Sequence, residues 1–95
     1  MEKINWLKTT KKANLFKVIG NNTRLAIIEI MINNSELQVN KILEYFDKVS
    51  QSSLSQHLLK LTNAGILKTT RKENFVYYKI SNEAIKQQLI NLLKD

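Results

Sequence analysis

The side chains best suited to chemistry lie between Ser50 and Asn63, where Gln51, Ser52, Ser53, Ser55, Gln56 and Lys60 are interleaved with Leu54, Leu58 and Leu61. What they suit is recognition of a nucleic acid rather than bond making. A Gln side chain can bond adenine through two hydrogen bonds, and a Ser hydroxyl can donate to or accept from any base. On a helical wheel the three leucines point one way, flanked by His57 and Ala64, while Ser52, Gln56, Leu59 and Asn63 lie opposite. Gln51, Ser53, Ser55 and Lys60 fall at the edges. Leu59 is an apolar side chain on the polar side; it could touch a thymine methyl or pack against a neighbouring element. A Ser- and Gln-rich face alone is ordinary solvated surface. Here a tight turn precedes it and a basic hairpin follows it, which favours a helix shaped for the DNA major groove.

The hairpin carries Lys68, Arg71, Lys72 and Lys79 against a single acid, Glu73. Positive charge near a hairpin tip suits phosphate contact and minor-groove entry. Lysines on an edge strand also guard against strand-to-strand aggregation, and both roles can hold at once. Lys68, Arg71 and Lys72 are the expected backbone-contacting set. Val76 and Tyr78 should share one side of the hairpin and Phe75 and Tyr77 the other, with one pair packing on the core. Arg24 could bond nearby main-chain carbonyls or reach phosphate; its place at the start of an apolar helix favours the carbonyls.

The bulk properties are consistent with this chemistry. The chain has 95 residues, a formal charge of +7 and a pI near 9.8. One domain spanning 1–95 is expected, and the charge favours polyanionic partners. With no Cys there is no thiolate metal site and no disulfide framework. A catalytic reading finds little: no Gly-rich phosphate loop, one histidine, and scattered acids. A hydrolase built on Ser52, Ser53 or Ser55 with His57 would need a third group and a pocket. No enzyme activity and no cofactor are expected. No apolar run reaches the roughly 18 residues of a membrane span, and Met1–Lys12 lacks the apolar core of a signal peptide, so a cytoplasmic location is the default.

Several elements must hold these residues in place. Residues 3–19 read as a helix with Ile4, Leu7, Leu15, Val18 and Ile19 on one stripe, interrupted by Lys8 and Lys11; its start lies either near Ile4 or after Thr9-Thr10. After a Gly20-Asn21-Asn22 turn, with Asn22 or Thr23 as cap, Thr23–Asn33 is apolar nearly all round and should be the buried centre. Glu36-Leu37-Gln38 suits a short extended segment, and Val39–Phe46 a third helix. Ser50 can cap a fourth helix to about Asn63, closed at Ala64-Gly65. Both glycines, Gly20 and Gly65, sit where a helix should stop, the left-handed position that glycine favours. Ile66–Arg71 and Phe75–Ile80 read as strands about a Lys72-Glu73-Asn74 turn. Ser81 or Asn82 caps a last helix to about Lys94, striped with Ile85, Leu89, Leu92 and Leu93. The order is helix, helix, short strand, helix, helix, hairpin, helix: a mainly α-helical winged helix-turn-helix with a β-hairpin wing.

Residues 15–80 resemble the ArsR/SmtB-type family of bacterial winged-helix regulators. Leu15–Leu25 is similar to the family segment ending in Pro-Thr-Arg-Leu, with Asn22 in place of the proline. Ser50–Leu58 resembles its recognition-helix signature, and Leu61, Ala64–Leu67 and Val76–Tyr78 its helix end and second wing strand. The resemblance implies a dimer through the first and last helices, here 3–19 and 82–94, with Ile4, Leu7, Leu15, Ile85, Leu89, Leu92 and Leu93 as interface residues. It departs from the metal-sensing members. Gln38 and Asn40 stand where thiols would be expected, and the last helix offers Asn82, Glu83, Ala84 and Asp95 but no histidine. A member without the usual metal sensor is implied, with His57 a packing or DNA-adjacent residue.

The leading expectation is a homodimeric, sequence-specific transcriptional repressor that binds double-stranded DNA at an inverted repeat; the inducer or antagonist is unknown, and the signal could be a small molecule, a protein antagonist or nothing beyond protein concentration. The alternative is a winged-helix module using the same surface to bind a protein. The Ser/Gln face with Lys60, Arg71 and Lys72 argues against it, and a steep salt dependence of DNA affinity would separate the two.

Overall fold

The computed structural model describes residues 3–94; Met1, Glu2 and Asp95, the last named above among the side chains of the final helix, lie outside the described residues. The element order is α1 (Trp6–Ile19), α2 (Asn22–Ile32), α3 (Val39–Leu43), α4 (Gln51–Asn63), β1 (Leu67–Lys72), β2 (Phe75–Ile80) and α5 (Glu83–Leu92). This is the winged helix-turn-helix expected, with α3 and α4 as its helix pair and β1–β2 as its wing.

Local chemistry explains most boundaries. Asn5 is extended and accepts from the Lys8 amide at 3.1 Å, so α1 begins at Trp6 and leaves Ile4 outside it. The α2 cap is Asn21, which accepts from the Arg24 amide at 3.1 Å, one residue before the expected Asn22 or Thr23. Ser50 and Asn82 cap α4 and α5 through the Ser53 and Ile85 amides. Each satisfies a donor that the first helical turn leaves unpaired. The third helix is shorter than Val39–Phe46, because after Leu43 the chain continues as tight turns, Tyr45 N–H to Ile42 O and Phe46 N–H to Leu43 O.

The two glycines do different work. Gly65 has φ +79°, and around it the Ile66 amide donates to Leu61 O while the Gly65 amide donates to Thr62 O. That pair of bonds is the Schellman ending, which calls for a left-handed residue. Gly20, expected to be left-handed too, has φ −77°. Its requirement is space: a Cβ there would lie 2.9 Å from Phe16 O, the carbonyl to which its own amide donates at 2.8 Å.

The core lies where α2, α4 and the wing root meet. Ile27, Ile28 and Met31 of α2, Ile42 of α3, and Leu54, Leu58 and Leu61 of α4 are buried, with Ile66, Leu67, Ile19 and Leu89 completing the cluster. The buried centre is therefore α2, as its all-round apolarity implied. Arg24 takes the structural role: its Nη1 donates to Val18 O at 2.8 Å, covering a carbonyl that the end of α1 leaves free.

Leu37 pairs with Tyr78 through two bonds, its N–H to Tyr78 O at 3.0 Å and the return bond at 2.8 Å. The expected short strand is thus a single bridge that seats the segment before α3 against β2. Leu67, Tyr78 and Ile80 share the hairpin face that packs on the core, so the Val76/Tyr78 side is the inward one.

α1 is different. Residues 3–14 are all exposed, and only Leu15, Val18 and Ile19 reach the body. The molecule measures 53 × 29 × 25 Å with a radius of gyration of 14.6 Å, beyond the roughly 12 Å of a compact chain this long.

His57, on the flank of α4, is held below its ordinary pKa of 6.5, first by burial and then by the positive charges of Arg24 and Lys60. The unfolded chain therefore takes up the proton more readily than the folded one, and stability is full above pH ~6.5 and lost as pH falls below it. The melting temperature should decline between pH 7.5 and 5.5, and His57→Gln should flatten that decline. Identical pH profiles for the two proteins would remove His57 as the cause.

Candidate nucleic-acid interface

With Leu54, Leu58 and Leu61 fully buried, the rest of α4 is oriented. Gln51, Ser52, Ser55, Gln56, Leu59, Lys60 and Asn63 are exposed along one side. Ser53, expected among them, is half-buried and turns toward the flank that holds His57; its amide is occupied by the Ser50 cap. Leu59 is 57 % exposed, so most of its surface remains available to a ligand. The first turn of α4 contains no acidic residue. Its free amides and the positive end of the helix dipole are therefore unopposed, an arrangement favourable to phosphate. Lys60, in the last turn, complements the negative end.

The wing divides the lysines and arginine that the sequence grouped together. The register pairs Lys68 with Lys79, Thr70 with Tyr77, Arg71 with Val76 and Lys72 with Phe75. Because side chains alternate along a strand, Lys68 and Lys72 share the outer face with Tyr77 and Lys79. Arg71 lies on the opposite face with Val76, and both are exposed near the tip. Glu73 opens the two-residue turn with φ +58°, a left-handed position that hairpin turns of this length require.

Lys72 is not a free cation. Its ammonium pairs with the Glu36 carboxylate and lies 5.4 Å from the centre of the Tyr77 ring. Hydrogen bonding to Lys72 is the main cause that lowers the Glu36 pKa, with Lys79 and Thr70 adding to it, and the same bond raises that of Lys72. Sequence reasoning passed over Glu36. The signal was its parity: Leu37 faces the core, so Glu36 must face the outer side of the sheet, where Lys72 stands.

The expected interface residues of the terminal helices are also divided. Ile4, Leu7 and Leu92 are exposed, as are Trp6 and Phe16, which the sequence reading did not include. Leu15, Ile85 and Leu93 are half-buried against the core. Leu89, at 4 % exposure, packs into the core of its own chain. Among the described residues, no group of three or more His, Cys, Asp or Glu comes together that could hold a metal ion, and no helix is long and apolar enough to cross a membrane.

Residues 21–69, from the cap of α2 into β1, match the family model described as "Bacterial regulatory protein, arsR family". The chain belongs to this family. Its relatives include the transcriptional repressor PagR of Bacillus anthracis, 32 % identical over 96 % of this chain and 89 % of PagR. The PagR crystal structure superposes with a TM-score of 0.79 and 28 % identity, covering 93 % of this chain and 99 % of the other. The transcriptional repressor SdpR of Bacillus subtilis is 33 % identical over 82 % of this chain and 83 % of its own. The structure of HlyU from Vibrio cholerae, a protein named as a transcriptional activator, matches with a TM-score of 0.78 and 33 % identity over 97 % of this chain and 94 % of HlyU. Membership makes this arsR-family chain a winged helix-turn-helix DNA-binding regulator of transcription and not an enzyme.

The Glu36–Lys72 pair yields a test. Glu36→Gln should free Lys72 for phosphate, raising affinity for duplex DNA of unrelated sequence and steepening the plot of log K against log salt by about 0.9. An unchanged slope would mean that Lys72 does not reach the backbone even when released.

Proposed function

We propose that this arsR-family protein is a homodimeric, sequence-specific repressor that occupies an inverted-repeat operator in double-stranded DNA. The observation that carries the reading is the exposed face of α4, where Gln51, Ser52, Ser55 and Gln56 stand free in the first turns while the three leucines behind them are fully buried. Residues near the N-terminus of such a helix reach deepest into the major groove. Arg71 near the wing tip and Lys60 supply backbone contacts in this reading, with Lys72 in reserve while it is paired to Glu36. Repression by occupancy needs only a bound operator, and two of the relatives described above carry the name repressor.

The dimer is supported by the apolar surface that one chain leaves bare. Trp6 is 70 % and Leu7 69 % exposed, and Ile4, Phe16 and Leu92 extend the same kind of surface over α1 and α5. Large apolar side chains left bare in this way are the kind of surface that a partner covers. A twofold pair through α1 and α5 would set the two α4 helices in successive major grooves, roughly 34–36 Å apart. Such a regulator works beside the chromosome, in the cytoplasm.

Selection from random duplex DNA at two salt concentrations should enrich an inverted repeat, and Gln56→Ala should then lose about 1–3 kcal/mol of preference at one base position per half-site while folding is unchanged. Recovery of no preferred sequence would sink the sequence-specific reading. Leu7→Glu, at a position already exposed in the single chain, should convert the protein to a folded monomer in sedimentation and abolish tight binding to the two-half-site duplex. A dimer that survives this change would place the interface elsewhere.

A further inference from the structure

A cavity of about 380 Å³ opens at the wing root, between the end of α2, the first rungs of the hairpin and the start of α5. Three lysines line it: Lys68 and Lys79, which are register partners across the hairpin, and Lys86 of α5. Like charges opposite one another across a sheet are unfavourable; the Glu36 carboxylate acts on Lys79 from a distance, but none of the three lysines is in an ion pair among the described residues. Among the described residues the ion pairs are Lys41–Glu44 and Lys72–Glu36, neither of which involves the three. Glu83, the one acid in the lining, instead receives a hydrogen bond from the Gln87 amide group at 3.0 Å. The rest of the lining is chiefly neutral and polar, including Asn34 and Ser35. The volume lies within the usual range of small-ligand pockets, but the walls suit an anion rather than an apolar molecule.

We propose that this cavity is a binding site for a small phosphate-bearing anion, held by Lys68, Lys79 and Lys86. Its place separates it from the DNA surface described above. No residue of α3 or α4 lines it, and Lys68 stands five residues before Glu73 at the wing tip, roughly 17 Å along an extended strand. Lys68 also points to the hairpin face opposite Arg71. The sequence alone groups Lys68 with the DNA-backbone contacts; in this proposal it serves the cavity. A ligand there would bridge the wing root to α5.

The test uses the full chain and inorganic pyrophosphate as probe, with sodium chloride added to a reference sample to match ionic strength. Amide resonances of Lys68, Lys79, Asn82 and Lys86 should shift saturably with pyrophosphate and not with matched chloride. The double variant Lys68→Gln/Lys79→Gln should weaken binding at least ten-fold while its DNA salt slope stays that of the parent. Lys86→Gln provides a single change on α5 should the double variant fail to fold, and it too should weaken binding. Shifts that do not saturate, that chloride reproduces, or that the variants leave intact would overturn the site. So would a DNA salt slope flattened by about two charges in the double variant, because the lysines would then be serving the DNA backbone.

Discussion

Burial of three α4 leucines against α2 is the constraint on which the rest of the structure depends. Leu54, Leu58 and Leu61 recur at helical spacing and are fully buried, together with Ile27, Ile28 and Met31 of α2. Truncating any one of them would cost about 2–5 kcal/mol, a large share of the stability of so small a domain. The same packing fixes the rotation of α4 about its axis. Once the leucines are inward, Gln51, Ser52, Ser55 and Gln56 have no other place than solvent. The polar face is thus a by-product of core packing, so its composition is free to be tuned to a ligand without cost to the fold.

The wing is held by a different kind of contact. A two-stranded hairpin is at best marginal alone, and this one is anchored at its root and along one edge. The Schellman turn at Gly65 launches β1 directly from α4, and Ser81 returns the chain by donating from its hydroxyl to Gly65 O and from its amide to Ile66 O. Along the outer edge of β2, Leu37 adds its two backbone bonds, and beside it Glu36 grips Lys72. The segment entering the helix-turn-helix is therefore stitched to the wing, so the angle between the two is set by hydrogen bonds and not by the hairpin turn alone. An exposed ion pair contributes little stability; its effect here is on where charge is available. One wing cation is neutralised, and among the described residues Arg71 is left as the unpaired positive group near the tip.

Charge and apolar surface are distributed unevenly over the molecule. α4 and the wing tip present a polar and basic side, the wing root gathers three lysines about a cavity, and α1 leaves Trp6, Leu7 and Phe16 bare. α5 belongs to two of these regions, since its first turn lines the cavity while Leu92 lies exposed near its end. Leu89 between them ties α5 to the core.

Much of this was legible in the sequence because it is local. Helical spacing of the leucines, the Ser50 cap, the glycine after Asn63 and the alternation in Phe75–Ile80 depend on neighbours within a turn or two, and they led to the element order and to the exposed face of α4. The terminal helices were legible as apolar stripes, yet spacing alone does not say that Leu89 is buried in its own chain while Leu92 is not. Nor did it say that Ser53 turns inward, or that Gly20 is needed for room and not for a left-handed backbone. The wing charges were the least legible. Lys68, Arg71 and Lys72 look alike as a basic run, and only the pairing of residues 36 apart divides them into one free side chain near the tip, one neutralised by Glu36 and one at a cavity. Sequence by itself determined the order of helices and strands and the central core of α2 and α4, because hydrophobic period and capping act over a few residues. Tertiary structure decided which charges remain free, because that depends on the register between segments distant along the chain.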